Sequence, residues 1–246
     1  MKLTRIYILL LAFAPIVAMA GPPYITDDPE PTDYRHFEIY LFLQDGGGRD
    51  GIDGAYGVDF NYGATESLQL TAVLPIGFER PKAGPSARGL GNIELAAKYR
   101  FMHNSESSGG WDAAFFPRLF LPASSDRVGE KHASLLLPVW FQHDLQKDWS
   151  TFGGAGCVIN RGGDSKDFCT AGWALTHQLL PNLQLGVELV HQTADSKDGR
   201  ASTQFGAGMK YDLNDTLHVL AYAGPTLQNI SANDRYTWYT SLLFTF

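Results

Sequence analysis

Three carboxylates fall within four positions near the start of the chain, Asp27, Asp28 and Glu30 in YITDDPEPTDY. Oxygen ligands set this close could coordinate a hard divalent cation. The stretch has no glycine-bearing loop of the calcium-binding type. A solvated acidic linker is therefore the plainer reading, and no metal is assigned. Pro22, Pro23, Pro29 and Pro31 keep the segment out of helix and sheet.

Cys157 and Cys169, the two cysteines, flank VINRGGDSKDF and lie equidistant from Gly163. In a hairpin centred on Gly163 they face each other across the ladder, close enough for a disulfide in an oxidising compartment. Two sulfurs without a neighbouring His or Cys are too few for a zinc site. His143, His177, His191 and His218 fall in strand-like runs, but no serine lies in a G-x-S-x-G elbow, and neither H-E-x-x-H nor C-x-x-C occurs. The expectation is a chain that is not an enzyme and carries no cofactor.

The remaining chemistry-bearing residues follow a period of two. Glu38, Asp59, Asn61, Glu94, Lys98, Arg100, Arg118, Glu188 and Lys210 all fall on the polar phase of alternating runs. Four acids and four bases on one phase describe a mixed-sign interior. Such pairs either stabilise the structure or line a passage and set its selectivity.

These residues need strands to hold them. Twelve runs of about ten residues alternate apolar and polar, separated by breaks rich in Gly, Asp, Ser or Asn. The first is HFEIYLFLQ and the last YTWYTSLLFTF, and Pro117 and Pro138 interrupt the fifth and sixth. Strands of this length match tilted bilayer-crossing strands, whereas sandwich strands are shorter. The connections after even strands are mostly tight (ATE, LQKD, LPN, LND) and those after odd strands long, as in outer-membrane barrels with short periplasmic turns. MHNSESSGG, after the fourth strand, is the exception.

The chain opens MKLTRIYILLLAFAPIVAMA, with Lys2 and Arg5 before an apolar run and Ala18-Met19-Ala20 at its end, the pattern of a cleavable signal peptide. Removing Lys2 and Arg5 takes the formal charge from −7 to −9, which does not attract nucleic acid. Aromatics make up 13% and charged residues only 18%. No stretch beyond the signal approaches the length of a transmembrane helix.

The expected fold is all-β: an antiparallel transmembrane barrel of twelve strands over residues 35–246. A signal peptide (1–20) and a periplasmic Pro/Asp-rich leader (21–34) precede it. The expected location is the outer membrane of a Gram-negative bacterium. In a closed barrel the last strand pairs with the first. Trp238, Leu242, Phe244 and Phe246 share one face of that last strand. Their pattern resembles the C-terminal signal that the barrel assembly machinery reads in bacterial outer-membrane proteins.

Two stretches carry a family resemblance: Pro22-Pro23, Thr26-Asp27-Asp28-Pro29 and His36-Phe37-Glu38 at the start, and GLGNIELAAKYRF from Gly89 to Phe101. They resemble the family of outer-membrane transporters related to the phenol meta-pathway degradation protein, with Asn92 where that family often has Asp. The resemblance implies passive transport of a small, hydrophobic or aromatic solute, with membrane lipid around the barrel. The alternatives are a structural or surface-recognition barrel with a sealed lumen, and a lipid-modifying barrel enzyme.

Overall fold

The computed structural model describes residues 23–48, 51–104, 110–122, 128–129, 131–146, 148–160, 162, 165–231 and 235–246. The stretch read from the sequence as a signal peptide, 1–20, lies outside them, as do Pro22, Gly163 and Asp164.

Fourteen strand segments form one antiparallel sheet, and two barrel strands are each built from two segments, so the barrel has twelve. They are β1 (Phe37–Gly47), β2 (Gly51–Thr65), β3 (Leu68–Pro81), β4 (Ala87–Leu90 and Ile93–Met102), β5 (Trp111–Phe115 and Arg118–Leu121), β6 (Ser134–Gln146), β7 (Trp149–Asn160), β8 (Phe168–Leu180), β9 (Leu183–Gln192), β10 (Ser202–Asn214), β11 (Leu217–Pro225) and β12 (Tyr236–Thr245). The break in β5 has a chemical cause. Pro117 sits in it and Pro138 sits opposite on β6, and neither has an N–H for the ladder. Their carbonyls still accept, from Ala97 and Phe116.

Each strand pairs with its sequence neighbour, and β1 pairs with β12, from Glu38 opposite Thr245 to Gly47 opposite Tyr236. Closure extends one residue further: the Phe37 and Phe246 backbones exchange N–H···O bonds of 3.0 Å each way. Among the described residues no edge strand remains, which is what a membrane demands of a sheet, since lipid offers backbone groups no partner.

The alternation sorts side chains by face. The outer face is apolar and bare: Leu41, Phe60, Leu74, Leu95, Phe141, Leu189 and Leu242 are all at least a third exposed. In water such a surface would aggregate; against acyl chains it is the correct solvent. At the short-turn end, rings cluster as a girdle: Phe37 on Tyr62, Trp111 on His143, Trp149 on His177 and Phe244 on Phe246. The long β4–β5 connection lies at this same end, so the exception in the loop pattern leaves the strand register intact. Cys157 and Cys169 lie directly opposite on β7 and β8 and are bonded to each other. They are on the outer face, in phase with the lipid-facing residues.

Candidate functional site

The inner face carries all nine polar-phase residues, from Glu38 on β1 to Lys210 on β10. Their partners are partly unexpected. Arg118 on β5 forms a two-pronged pair with Glu94 on β4, Nε–Oε1 2.7 Å and Nη2–Oε2 2.9 Å, the geometry a planar guanidinium favours. Asn61 on β2 accepts from Gln69 of β3 at 2.7 Å. Tyr40 donates to Glu38 at 3.0 Å, and Lys210 lies 3.8 Å from Asp212.

Lys98, Arg100 and Glu188 instead reach a segment that is not part of the wall. The residues read from the sequence as a periplasmic leader run inside the barrel: Thr26, Asp28 and Thr32 are almost wholly buried. Glu188 accepts from the Ile25 and Thr26 backbone N–H groups at 2.9 and 3.0 Å. Lys98 lies 3.0 Å from Asp27 Oδ1, 3.7 Å from Asp28 Oδ1 and 3.1 Å from the Glu30 carbonyl. Arg100 lies 3.9 Å from Glu30 Oε1, and Gln69 accepts from the Thr32 N–H at 2.8 Å. The acidic stretch is therefore held by wall cations rather than solvated. Among the described residues no group of His, Cys, Asp and Glu side chains is placed to hold a metal ion.

The wall is cut to receive this segment. Glycines at 172, 186 and 208 stand on the inner faces of β8, β9 and β10. A Cβ at Gly186 would run into the Tyr24 hydroxyl, one at Gly172 into the Thr26 hydroxyl, and one at Gly208 would sit 2.8 Å from the Tyr24 ring. Only glycine lets the leader lie so close to the sheet. Tyr24 then packs edge-on against Phe152 and Tyr222 at 5.7 and 6.2 Å, and its hydroxyl donates to the Gly208 carbonyl at 3.2 Å. Burial sets the leader's electrostatics. It pushes the Asp28 carboxyl well above its ordinary range, with Lys98 opposing, and raises Glu30 to about 7, with Arg100 opposing.

Sequence reasoning missed this arrangement. The leader's prolines mark it as neither helix nor strand, but its acids and the wall cations are far apart in the chain. The inward Gln69 and Thr71 were visible as polar-phase residues of SLQLTAVLP, though not as partners of Thr32 and Asn61.

Between the leader and the inner faces of β1–β5 and β10–β12 remains a cavity of about 530 Å³. Seven carboxylates and three cations line it, together with Tyr40, Phe42, Tyr222 and Tyr239. The short-turn end of the inner face holds one arrangement with the look of a hydrolytic triad. His218 has Nδ1 2.6 Å from Asp212 and Nε2 3.2 Å from the Thr245 hydroxyl. That hydroxyl donates to the Asp215 carbonyl at 3.1 Å, so its proton is already committed. With its proton on a backbone carbonyl, the Thr245 hydroxyl is not set to give it to the ring as a nucleophile would.

A closed antiparallel barrel with a lipid-facing exterior, an aromatic girdle and a polar interior defines an outer-membrane β-barrel. The chain belongs to the family described as "Putative MetA-pathway of phenol degradation", whose model matches residues 48–240. An outer membrane channel from Pseudomonas putida F1 shares the fold at a TM-score of 0.72 and 13% identity, over 93% of this chain and 100% of that one. The KdgM porin, solved with disordered oligogalacturonate, gives a TM-score of 0.58 at 11% identity, covering 86% and 99%. The NanC porin gives 0.57 at 9%, covering 83% and 98%. No curated protein matches the chain by sequence.

Proposed function

We propose that this barrel is a passive channel for small solutes, narrowed by its own N-terminal leader. The observation that carries this reading is the cavity of about 530 Å³ left beside the leader inside the barrel. Its lining suits a small solute with an apolar or aromatic body, since Tyr40, Phe42 and Tyr239 offer ring faces between polar groups. The solute class follows from the family and from these rings together. The excess of carboxylates over cations favours cations among permeant ions.

Membrane lipid surrounds the barrel, and on this reading the chain reaches it through a cleaved signal peptide and the barrel assembly machinery, with the end of β12 as the assembly signal. On this reading it is not an enzyme. Planar-bilayer recording tests the proposal: discrete conductance steps with a reversal potential displaced toward the cation equilibrium are expected. A membrane that stays silent with correctly folded protein present would favour a structural or recognition barrel with a sealed lumen. Hydrolysis of a lipid ester by the purified barrel, lost in His218→Ala, would restore the enzyme alternative.

A further inference from the structure

The outer face carries a second chemical feature near the long-loop end, on the hairpin of β3 and β4. The register sets Ile52 opposite Arg80, Gly54 opposite Phe78, and Phe78 opposite Arg88. Below them lie Tyr56, Ile76 and Leu90, all in the lipid-facing phase. Arg80 and Arg88 are exposed, as is Lys82 two residues on in the hairpin. Arg80 lies 5.6 Å above the Phe78 ring and Arg88 5.1 Å above the Tyr56 ring. Each guanidinium is thus held over an aromatic face, a contact that leaves its N–H groups available to an anion. The acids of the same two ladders, Asp53 and Glu79, fall on the opposite phase of the sheet.

Their height in the membrane follows from the strand. Tyr62 belongs to the periplasmic girdle through Phe37, and Ile52 stands ten residues further along β2. Ten residues at about 3.3 Å each, tilted about 40°, rise about 25 Å, the height of a barrel's apolar band. Arg80 therefore lies at the upper edge of that band. Arg88 stands one row lower, with its guanidinium over the ring of Tyr56 at the head of the apolar floor. Cations at this edge above an apolar floor match an amphiphile with an anionic headgroup and several acyl chains. In the outer leaflet of this membrane that amphiphile is the phosphorylated glucosamine lipid of lipopolysaccharide.

We infer that Arg80, Lys82 and Arg88 form a binding site for the phosphates of lipid A, with Tyr56, Ile76 and Phe78 as the floor for its acyl chains. The site is independent of whether the lumen conducts. It needs only the barrel in its membrane with the long loops outside. It places two planar, bidentate donors on a lipid phosphate that one chain's net charge would otherwise repel.

The test uses the full mature barrel in non-ionic detergent, titrated with defined lipids and read by native mass spectrometry. The Arg80→Ala/Arg88→Ala variant should bind diphosphoryl lipid A at least about tenfold more weakly than wild type. Heat-modifiable gel mobility should stay the same, which certifies an intact barrel. Lys166→Ala, which removes a cation from the β7–β8 loop, should bind as wild type. Monophosphoryl lipid A should bind wild type less tightly, and millimolar inorganic phosphate should not compete. Equal binding by the double variant would overturn the site. So would equal affinity for phosphatidylglycerol, which would mark general attraction of anionic lipid. Displacement by inorganic phosphate would reassign it to a free anion, and undiminished binding of dephosphorylated lipid A would reduce it to acyl-chain contact.

Discussion

The Lys98 ammonium lies 3.0 Å from Asp27 Oδ1, so a cation on the fourth strand holds a leader carboxylate 71 residues away in the chain. Both side chains are largely removed from solvent. Lys98→Met would leave Asp27 and the fully buried Asp28 without their cation. Breaking a buried pair costs roughly 3–5 kcal/mol. That loss falls on leader docking, not on the barrel ladder. The expected outcome is a leader open to limited proteolysis and larger conductance steps, at unchanged heat stability of the barrel. Unchanged conductance would separate the leader from control of the passage.

Gly186 and Tyr24 touch without room for a methyl group between them. Gly186→Ala should displace the leader through overpacking of about 1–3 kcal/mol. Tyr24→Ala should weaken docking by loss of its contacts with Phe152 and Tyr222. Because the two changes act at one contact, their combined effect on leader protease sensitivity should be smaller than the sum. Additive effects would mean that the glycine serves strand pairing instead.

Glu30 brings a pH dependence. Burial raises its carboxyl to about 7 in the docked leader, from the ordinary value of 4.5, with Arg100 opposing. The docked state therefore binds the proton more tightly than the free leader. Docking is strongest below the ordinary value and weakens as pH rises from about 4.5 through 7. Asp28 shifts in the same direction. Conductance recorded in symmetric buffer should rise between about pH 5 and 8, and Glu30→Gln should flatten that rise. A conductance that falls over this window would reverse the assignment.

At the closing seam, Phe246 is mostly exposed on the lipid face and stacks on Phe244. One buried Phe is worth roughly 1.5–3 kcal/mol, which a whole barrel survives losing. If the end of β12 is read during assembly, deletion of Phe246 should sharply reduce outer-membrane yield at native expression. The protein that does insert should remain nearly as heat-stable as wild type. Deleting Ser196, in the β9–β10 loop, should do neither. Equal insertion of the Phe246 deletion and wild type would make the strand end ordinary packing.

Orientation can be read with epitope tags. Tags at Gly84, Asp164 and Ser196 should be reached by antibody on intact cells, because they fall in long connections. A tag at Asp148, in the tight β6–β7 turn, should be reached only after the outer membrane is permeabilised. Labelling of Asp148 on intact cells would invert the barrel, and the lipid A site with it.

The period of two in runs such as HFEIYLFLQ and LQLGVELVHQ was enough to predict strands, their number and their two faces, because adjacent Cβ atoms point to opposite sides of any sheet. That rule is local, so Glu38, Glu94 and Glu188 could be assigned to the polar face without knowing their partners. Turn lengths such as LPN and LND were legible for the same reason. The place of the leader was not. Tyr24 is seated by glycines on β9 and β10, Thr26 is held by Glu188, Asp27 by Lys98 and Thr32 by Gln69. Each of those groups is an ordinary inward residue in its own strand. Only closure of the barrel, which brings β3, β4, β9 and β10 around one axis, turns them into a receptor for a segment with no periodicity of its own. An acidic, proline-rich stretch has the same composition whether water or a ring of wall residues satisfies it, and that choice belonged to the tertiary structure.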